Sequence, residues 1–146
     1  MRVSLILSLI RHVLRVRVKL IRPMSHRILV VDDMPDCSKV LVRLLGSYGF
    51  TAGVANNGAE AVALLDDFAP HLVILDLHMP VMDGYGFLET ARTRPHWPEC
   101  RVIVFTADHN ADEARLRELG VDKVCRKAYV SFKSLMDEIT DCLGAA

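Results

Sequence analysis

The chain has 146 residues, of which 51% are apolar and 25% charged, and its 18 basic residues balance 18 acidic ones. This composition is typical of one ordinary globular domain, large enough to fold without a disulfide or metal staple, and it excludes disordered, collagen-like and cysteine-dense proteins. The zero net charge hides an uneven distribution of charge along the chain. Residues 1–23 carry six basic side chains and no acid, which leaves an excess of six negative charges on the remainder.

Residues 1–23 form a basic, apolar leader. Its apolar run, residues 3–10, is too short to cross a bilayer, and no small-residue cleavage site of a secretion signal follows it. The alternation over residues 16–20 favours a strand over a membrane-surface helix. We therefore expect no membrane contact through the leader, and we favour Met24 as the natural start, with residues 1–23 upstream sequence or a disordered tail. A tether to a membrane or to nucleic acid stays the alternative.

From residue 26 onward, apolar β-branched runs alternate with helical patterns. Strands are predicted at residues 28–31, 50–54, 72–75, 101–105 and 121–125. Helices are predicted after Pro35, Asn57 and Ser131, and around residues 87–92 and 110–119. Continuous apolar strands are buried on both faces, as in a parallel sheet covered by helices. Five strands interleaved with five helices predict an α/β fold, a doubly wound parallel sheet with helices on both faces.

Polar side chains follow these predicted strands at their carboxyl ends, the edge where such sheets bind ligands. Three close carboxylates repel one another unless a cation joins them, and an all-oxygen ligand set suits Mg²⁺. A carboxylate can also act as a nucleophile and accept a phosphoryl group, with Mg²⁺, an ammonium and a hydroxyl stabilising the transferred charge. The residues at this edge are Asp32, Asp33, Asp76, Thr106 and Lys127.

Four segments resemble, in order, the signature segments of a response-regulator receiver domain. They are residues 30–33 (VVDD), residues 75–84 (LDLHMPVMDG), residues 104–107 (VFTA) and Lys127. The resemblance covers about residues 26–144. It implies a flavodoxin-like sheet with strand order 2-1-3-4-5, and a phosphoacceptor in a two-component or phosphorelay signalling pathway.

The resemblance implies that Asp76 is phosphorylated by a sensor histidine kinase or a histidine phosphotransfer protein. Asp33, Asp76 and the backbone carbonyl of His78 would bind Mg²⁺, and Asp32 would act mainly through metal-bound water. The domain would then switch a downstream protein target or relay the phosphoryl group onward. It would be a signalling domain and not an enzyme, apart from its part in its own phosphorylation and slow autodephosphorylation.

Other positions in the resembling segments have implied roles around the phosphoryl group. Thr106 would hydrogen-bond a phosphoryl oxygen, and Lys127 would pair with it. His78 and Asp108 occupy flanking positions that tune attack by water. We expect these two residues to modulate the lifetime of the phosphorylated state.

Two departures from the family pattern bear on the switch. Receivers usually carry a proline after the lysine, in a cis bond, but here Ala128 follows Lys127, and a cis bond to a non-proline residue costs about 2.5 to 4 kcal/mol. Receivers also often carry an aromatic residue three positions before the lysine, where this chain has Val124. The output of this domain would then depend more on backbone shifts of the loop after Thr106.

No output domain is evident after the last predicted helix, so we predict a stand-alone receiver without direct nucleic-acid binding. A phosphorylation-independent adaptor with a receiver fold is the alternative. The four cysteines lack a close zinc-binding pattern and favour a reducing, cytoplasmic location. Trp97 lies in a polar loop, and the sequence leaves two alternatives open for it, an exposed partner contact or packing on the edge of the domain.

Overall fold

The computed structural model describes residues 3–10 and 25–144. Residues 3–10 are helical, and their six large apolar side chains are exposed. The strand predicted at residues 16–20 and the start proposed at Met24 lie outside the described residues. Within the described part of the chain, no helix combines the length and apolarity needed to cross a bilayer.

Between residues 25 and 144, five strands alternate with five α-helices. The strands are β1 (Arg27–Val31), β2 (Thr51–Ala55), β3 (Leu72–Leu75), β4 (Arg101–Thr106) and β5 (Lys123–Arg126). The helices are α1 (Pro35–Ser47), α2 (Gly58–Phe68), α3 (Gly84–Ala91), α4 (Glu113–Glu118) and α5 (Phe132–Cys142). A short 3₁₀ turn, Trp97–Glu99, precedes β4.

The strands form one parallel sheet in the order β2-β1-β3-β4-β5. Alternate residues of each strand enter two separate cores, one on each face: in β1, Leu29 and Val31 enter one and Ile28 and Val30 the other. This burial on both faces explains why the strands are continuous apolar runs. The predicted fold class and strand order are confirmed.

Two predicted strands begin too early, for the same physical reason. Phe50 and Val121 each follow a glycine with positive φ, Gly49 at 86° and Gly120 at 88°. Each of the two apolar residues donates its backbone N–H to the carbonyl five residues earlier, on the last turn of the preceding helix. This is the Schellman ending of a helix, in which an apolar residue follows the glycine. Phe50 and Val121 therefore belong to the endings of α1 and α4. β2 starts only at Thr51 and β5 only at Lys123.

One further prediction about local structure needs correction, and the two alternatives for Trp97 are resolved. α4 starts at Glu113 and not at residue 110, because Asp112 caps the helix by accepting a hydrogen bond from the backbone N–H of Arg115 at 3.0 Å. Trp97 is buried, with only 9% of its surface exposed. Its ring packs edge-on against Phe87, with 5.7 Å between centroids. Trp97 is thus a core residue and not an exposed contact.

Candidate functional site

The carboxylates are brought together by the pairing of two neighbouring strands. Val31 of β1 lies opposite Leu75 of β3, so that Asp32 and Asp76 follow at the same edge of the sheet. Asp32 and Asp76 are buried, whereas Asp33 is exposed. Carboxylate oxygens of the three lie within 4.8 Å of one another. Such a cluster is unfavourable unless cationic groups neutralise it.

Backbone amides hold one oxygen of each buried carboxylate. Asp32 Oδ1 accepts a hydrogen bond from the N–H of Met34 at 2.9 Å, and Asp76 Oδ1 accepts one from the N–H of Leu77 at 2.7 Å. These bonds fix the orientation of the two carboxylates and leave the Oδ2 atoms facing the site. The local fold thus preorganises one oxygen of Asp76 for contact with a ligand.

Lys127 supplies the cation that faces both Oδ2 atoms. Its Nζ donates to Asp32 Oδ2 at 2.8 Å and to Asp76 Oδ2 at 3.3 Å. Burial disfavours the charged amine, but the hydrogen bond to Asp32 and the charges of both aspartates outweigh it and raise the pKa of Lys127. Between residues 25 and 144 no peptide bond is cis, so the side chain reaches the site with a trans bond to Ala128.

Thr106 ends β4 beside this group and is fully buried. Its Oγ1 accepts a hydrogen bond from the backbone N–H of Asp108 at 3.1 Å. A hydroxyl that accepts from one partner still has its own proton to donate. Thr106 can therefore donate to an anion bound at this edge of the sheet.

His78 and Asp108 join the loops that follow β3 and β4. His78 Nε2 lies 2.9 Å from Asp108 Oδ2, and 72% of the His78 side chain is exposed. The backbone hydrogen bond from Asn110, followed by the contact with His78, lowers the pKa of Asp108. The pairing of these two side chains was not predictable from the sequence, although both had been placed beside the site.

Gly84 lies against the backbone of Asp76, a contact that the sequence alone does not reveal. A Cβ atom at position 84 would lie 2.6 Å from the Asp76 carbonyl oxygen and 2.9 Å from Leu77 Cα. The Gly84 N–H also donates to the Leu77 carbonyl at 3.0 Å. A close approach of two backbone segments is a common reason for a glycine. The clash is with backbone atoms, which cannot move without shifting Asp76.

Gly84→Ala is therefore expected to lower the free energy of unfolding by about 1–3 kcal/mol, the usual cost of overpacking, and to shift Asp76 out of the carboxylate cluster. Gly86→Ala is the matched control in the same helix, since its Cβ would meet the flexible Met82 side chain at 3.1 Å. Helix propensity favours that alanine by roughly 0.5–1 kcal/mol. Urea unfolding with and without Mg²⁺ measures both variants. Equal effects of the two substitutions would contradict this account of Gly84.

Cys37 is a second neighbour of the site that is not evident from the sequence. It lies on α1, half-buried, near Asp32 and Lys127. Burial raises the pKa of the Cys37 thiol to about 11, with the nearby aspartates adding to the effect and Lys127 opposing it. A thiol needs to ionise to act as a nucleophile or metal ligand. Cys37 therefore stays protonated at neutral pH and fills space beside the carboxylates.

The donor set of the site fits Mg²⁺. Three clustered carboxylates face one ammonium, so the group keeps a formal excess of negative charge that a divalent cation would neutralise. All the candidate ligand atoms are oxygens, which Mg²⁺ prefers. Asp33 is exposed, so the cluster is accessible from solvent. The residues present are thus chemically suited to this ion.

Residues 28–140 match the family model of the response regulator receiver domain. The chain is 35% identical over 120 residues to the Regulator of RpoS of Escherichia coli (strain K12), a match that covers 82% of this chain and 35% of that protein. It is 33% identical over 105 residues to the probable chemotaxis protein CheY of Rhizobium etli, covering 70% of this chain and 81% of that protein. The chain thus spans about a third of the first relative and most of the second.

Solved structures agree with this assignment at the level of the fold. A CheY-like response regulator receiver domain from Methanospirillum hungatei superimposes with a TM-score of 0.75 at 23% identity, covering 83% of this chain and 95% of that one. The family model, the curated relatives and the observed strand order agree. The chain belongs to the response regulator receiver domain family, the receiver domains of two-component signalling systems.

Proposed function

We propose that this domain accepts a phosphoryl group on Asp76, with Mg²⁺ bound beside it. The observation that carries the proposal is the geometry around Asp76, a buried carboxylate with one oxygen fixed by a backbone amide and the other facing Lys127 at 3.3 Å. Two more carboxylates lie within reach of the same ion. Phosphoryl transfer depends mainly on positioning and on cations around the phosphoryl oxygens.

In the proposed step, Asp76 Oδ2 forms a bond to phosphorus on the donor. The bond between phosphorus and the donor's histidine nitrogen breaks, and that nitrogen keeps the electron pair. Asp33, Asp76 and the backbone carbonyl of His78 would hold Mg²⁺, with Asp32 acting through water. The ion would neutralise charge on the phosphoryl oxygens and orient them.

Two further side chains would stabilise the transferred group. Lys127 would move its ammonium from Asp76 Oδ2 to a phosphoryl oxygen while it keeps its shorter contact with Asp32. Thr106 would donate its hydroxyl proton to another phosphoryl oxygen. The buried Thr106 hydroxyl and the half-buried Lys127 support these roles, because charge interactions are stronger where water is excluded.

The proposed phosphoryl donor is a sensor histidine kinase or a histidine phosphotransfer protein, and the proposed output is the switching of a downstream protein or onward transfer. The proposed location is the cytoplasm, since four scattered cysteines without a disulfide-scaffold pattern are typical of proteins in a reducing compartment. The alternative is an adaptor that works without phosphorylation. It is based on Ala128 and Val124, the two residues that depart from the family pattern. Its prediction differs at one point, because the adaptor needs no chemistry at Asp76.

Incubation with acetyl phosphate and Mg²⁺, followed by intact mass and peptide mapping, tests the proposal. The expected result is one phosphoryl adduct on the peptide that contains Asp76, with acetate as the leaving group. The adduct should not form when a chelator removes Mg²⁺. Absence of an adduct in the presence of Mg²⁺ would contradict the proposal and favour the adaptor.

His78→Ala and Asp108→Ala are each expected to shorten the lifetime of the phosphorylated state, by a factor on the order of ten, which corresponds to ~1.4 kcal/mol in the barrier. Each removes the contact that joins the two loops and so eases the approach of water. Mg²⁺ affinity should change little. Loss of the adduct with time, followed by mass, measures the rate.

His109→Ala is the control for this pair, since His109 lies in the same loop but packs against Tyr129, with 6.0 Å between ring centroids. It should leave the lifetime as in the wild type. Unchanged dephosphorylation rates in both the His78 and Asp108 variants would show that the pair does not regulate attack by water.

A further inference from the structure

We propose that Arg126 is a positioning residue, which holds the loop after Thr106 against the site and connects that loop to α4. The inference rests on the proposed function, because the connection matters only if the site is phosphorylated. We call residues 107–112 the β4–α4 loop. Arg126 is the last residue of β5 and directly precedes Lys127. No role for it follows from its residue type alone.

The two ends of the Arg126 guanidinium contact two different parts of the chain. Nη1 donates to the backbone carbonyl of Asp108 at 2.8 Å, and Nη2 donates to Glu113 Oε1 at 2.8 Å. The side chain is only 22% exposed, so both bonds form at a partly desolvated position. A planar guanidinium can make two such bonds in a fixed geometry, which a lysine ammonium on a flexible stem cannot reproduce.

Four contacts meet at Asp108, and they link the site to Arg126. The Asp108 backbone N–H donates to Thr106 Oγ1, its side chain contacts His78 and accepts from the N–H of Asn110, and its carbonyl accepts from Arg126. When Thr106 turns toward a phosphoryl group, the Asp108 N–H must follow or lose its acceptor. A shift of the Asp108 backbone then changes the contact with Arg126.

α4 is well suited to respond to such a shift, because apolar burial holds it weakly. It has six residues, of which only Leu116 is buried. Its first residue, Glu113, is the one that Arg126 binds. Elements with few buried apolar contacts are the ones whose position changes at low energetic cost. Polar contacts therefore have a large share in deciding where α4 lies.

The position that often holds an aromatic residue in receivers contains Val124 here. Val124 is partly buried, packs at the edge of one core and pairs with Val104 of β4. A β-branched side chain is restricted in χ1 and has no ring to swing between inward and outward positions. The chain from Thr106 through Asp108 and Arg126 to Glu113 is thus a polar route from the site to α4 that needs no such ring.

Amide hydrogen exchange on the full chain, before and after phosphorylation with acetyl phosphate and Mg²⁺, tests the inference. In Arg126→Gln we expect Asp76 to be phosphorylated still, and exchange in the resting β4–α4 loop to be at least roughly tenfold faster. The change in exchange at residues 113–118 on phosphorylation should fall to less than half of the wild-type change. A residue that merely stabilised the fold would not alter that response while phosphorylation continued.

Arg117→Gln is the matched control, because Arg117 contacts the same Glu113 only at 4.0 Å and is 77% exposed. It should behave as the wild type, and Arg126→Lys should resemble Arg126→Gln. If Arg126→Gln does not fold, Glu113→Ala is the substitute, because it removes only the contact between Arg126 and α4. It should still reduce the change in exchange that phosphorylation causes at residues 113–118. A wild-type response to phosphorylation in the Arg126→Gln variant, or in Glu113→Ala where that variant replaces it, would overturn the inference, and so would wild-type resting exchange of the loop in a folded Arg126→Gln variant.

Failure of the two proposals can be told apart. Absence of an adduct on the wild-type chain refutes the proposed function and, with it, the switching role of Arg126. An adduct with an unchanged response in the variants refutes the inference about Arg126 alone. Resting exchange is read without phosphorylation, so it tests the positioning of the loop in either case.

Discussion

Replacing Asp76 with asparagine is expected to abolish the phosphoryl adduct completely, because an amide is neither the nucleophile nor the anion that the proposed step needs. The variant should nevertheless fold. An asparagine oxygen can still accept from the Leu77 N–H, and Lys127 keeps its 2.8 Å contact with Asp32. Removing one of three clustered carboxylates relieves repulsion. We expect the free energy of unfolding without Mg²⁺ to rise.

Asp83→Asn is the control for this substitution, since it makes the same chemical change in the loop after β3. Asp83 caps α3, its Oδ1 accepting from the Gly86 N–H at 2.8 Å, and asparagine caps a helix about as well as aspartate. The variant should be phosphorylated normally and be equally stable. A persistent adduct in Asp76→Asn, detected by mass, would place the acceptor on another residue.

Replacing Lys127 with alanine is expected to have the largest effect on stability. It removes the ammonium from two buried carboxylates at 2.8 and 3.3 Å, and breaking a buried ion pair costs about 3–5 kcal/mol. Because 18% of the lysine side chain is exposed to water, we expect a loss near the lower limit, about 3 kcal/mol. Urea unfolding without Mg²⁺ measures it.

The pH dependence of this loss follows from the raised pKa of Lys127. The stabilisation is fully present below the ordinary lysine pKa of about 10.4 and is lost only as the pH rises through the higher pKa of the folded state. The difference between wild type and variant should therefore stay constant from about pH 7 to about pH 9. A difference that vanished within this range would show that Lys127 does not act through its charge.

Lys123→Ala and added Mg²⁺ are the controls for the Lys127 variant. Lys123 is the first residue of β5, the strand that Lys127 follows. It pairs with Glu138 at a similar distance, 2.7 Å, but it is 50% exposed, and exposed pairs contribute about 1 kcal/mol or less. Mg²⁺ at about 100 times its Kd stabilises a folded protein by about 2.7 kcal/mol, and it should restore much of the stability of the Lys127 variant. Equal losses in the two lysine variants would contradict the special role of Lys127.

The fold was predictable because its signals are local and repeated. Runs such as residues 28–31 and 72–75 are wholly apolar, which is typical of strands buried on both faces, and residues with capping roles, such as Ser131, occur at the expected helix starts. The errors at Phe50 and Val121 and the undecided position of Trp97 share one cause. An apolar residue beside a helix end or in a polar loop looks the same in the sequence whether it continues a strand, closes a helix or enters the core. Only its backbone hydrogen bonds and neighbours distinguish these cases.

By itself, the sequence determined the α/β class and the acids, hydroxyl and amine that follow the strands, because a parallel sheet brings the carboxyl ends of its strands to one edge. The tertiary structure alone decided how these groups contact one another. The 2.8 Å contact of Lys127 with Asp32 joins residues 95 positions apart, and the contacts of Asp108 with His78 and Arg126 depend on loop backbones that no local pattern specifies. Residue types and strand ends are properties of the chain, whereas distances between loops arise only when the whole sheet is assembled.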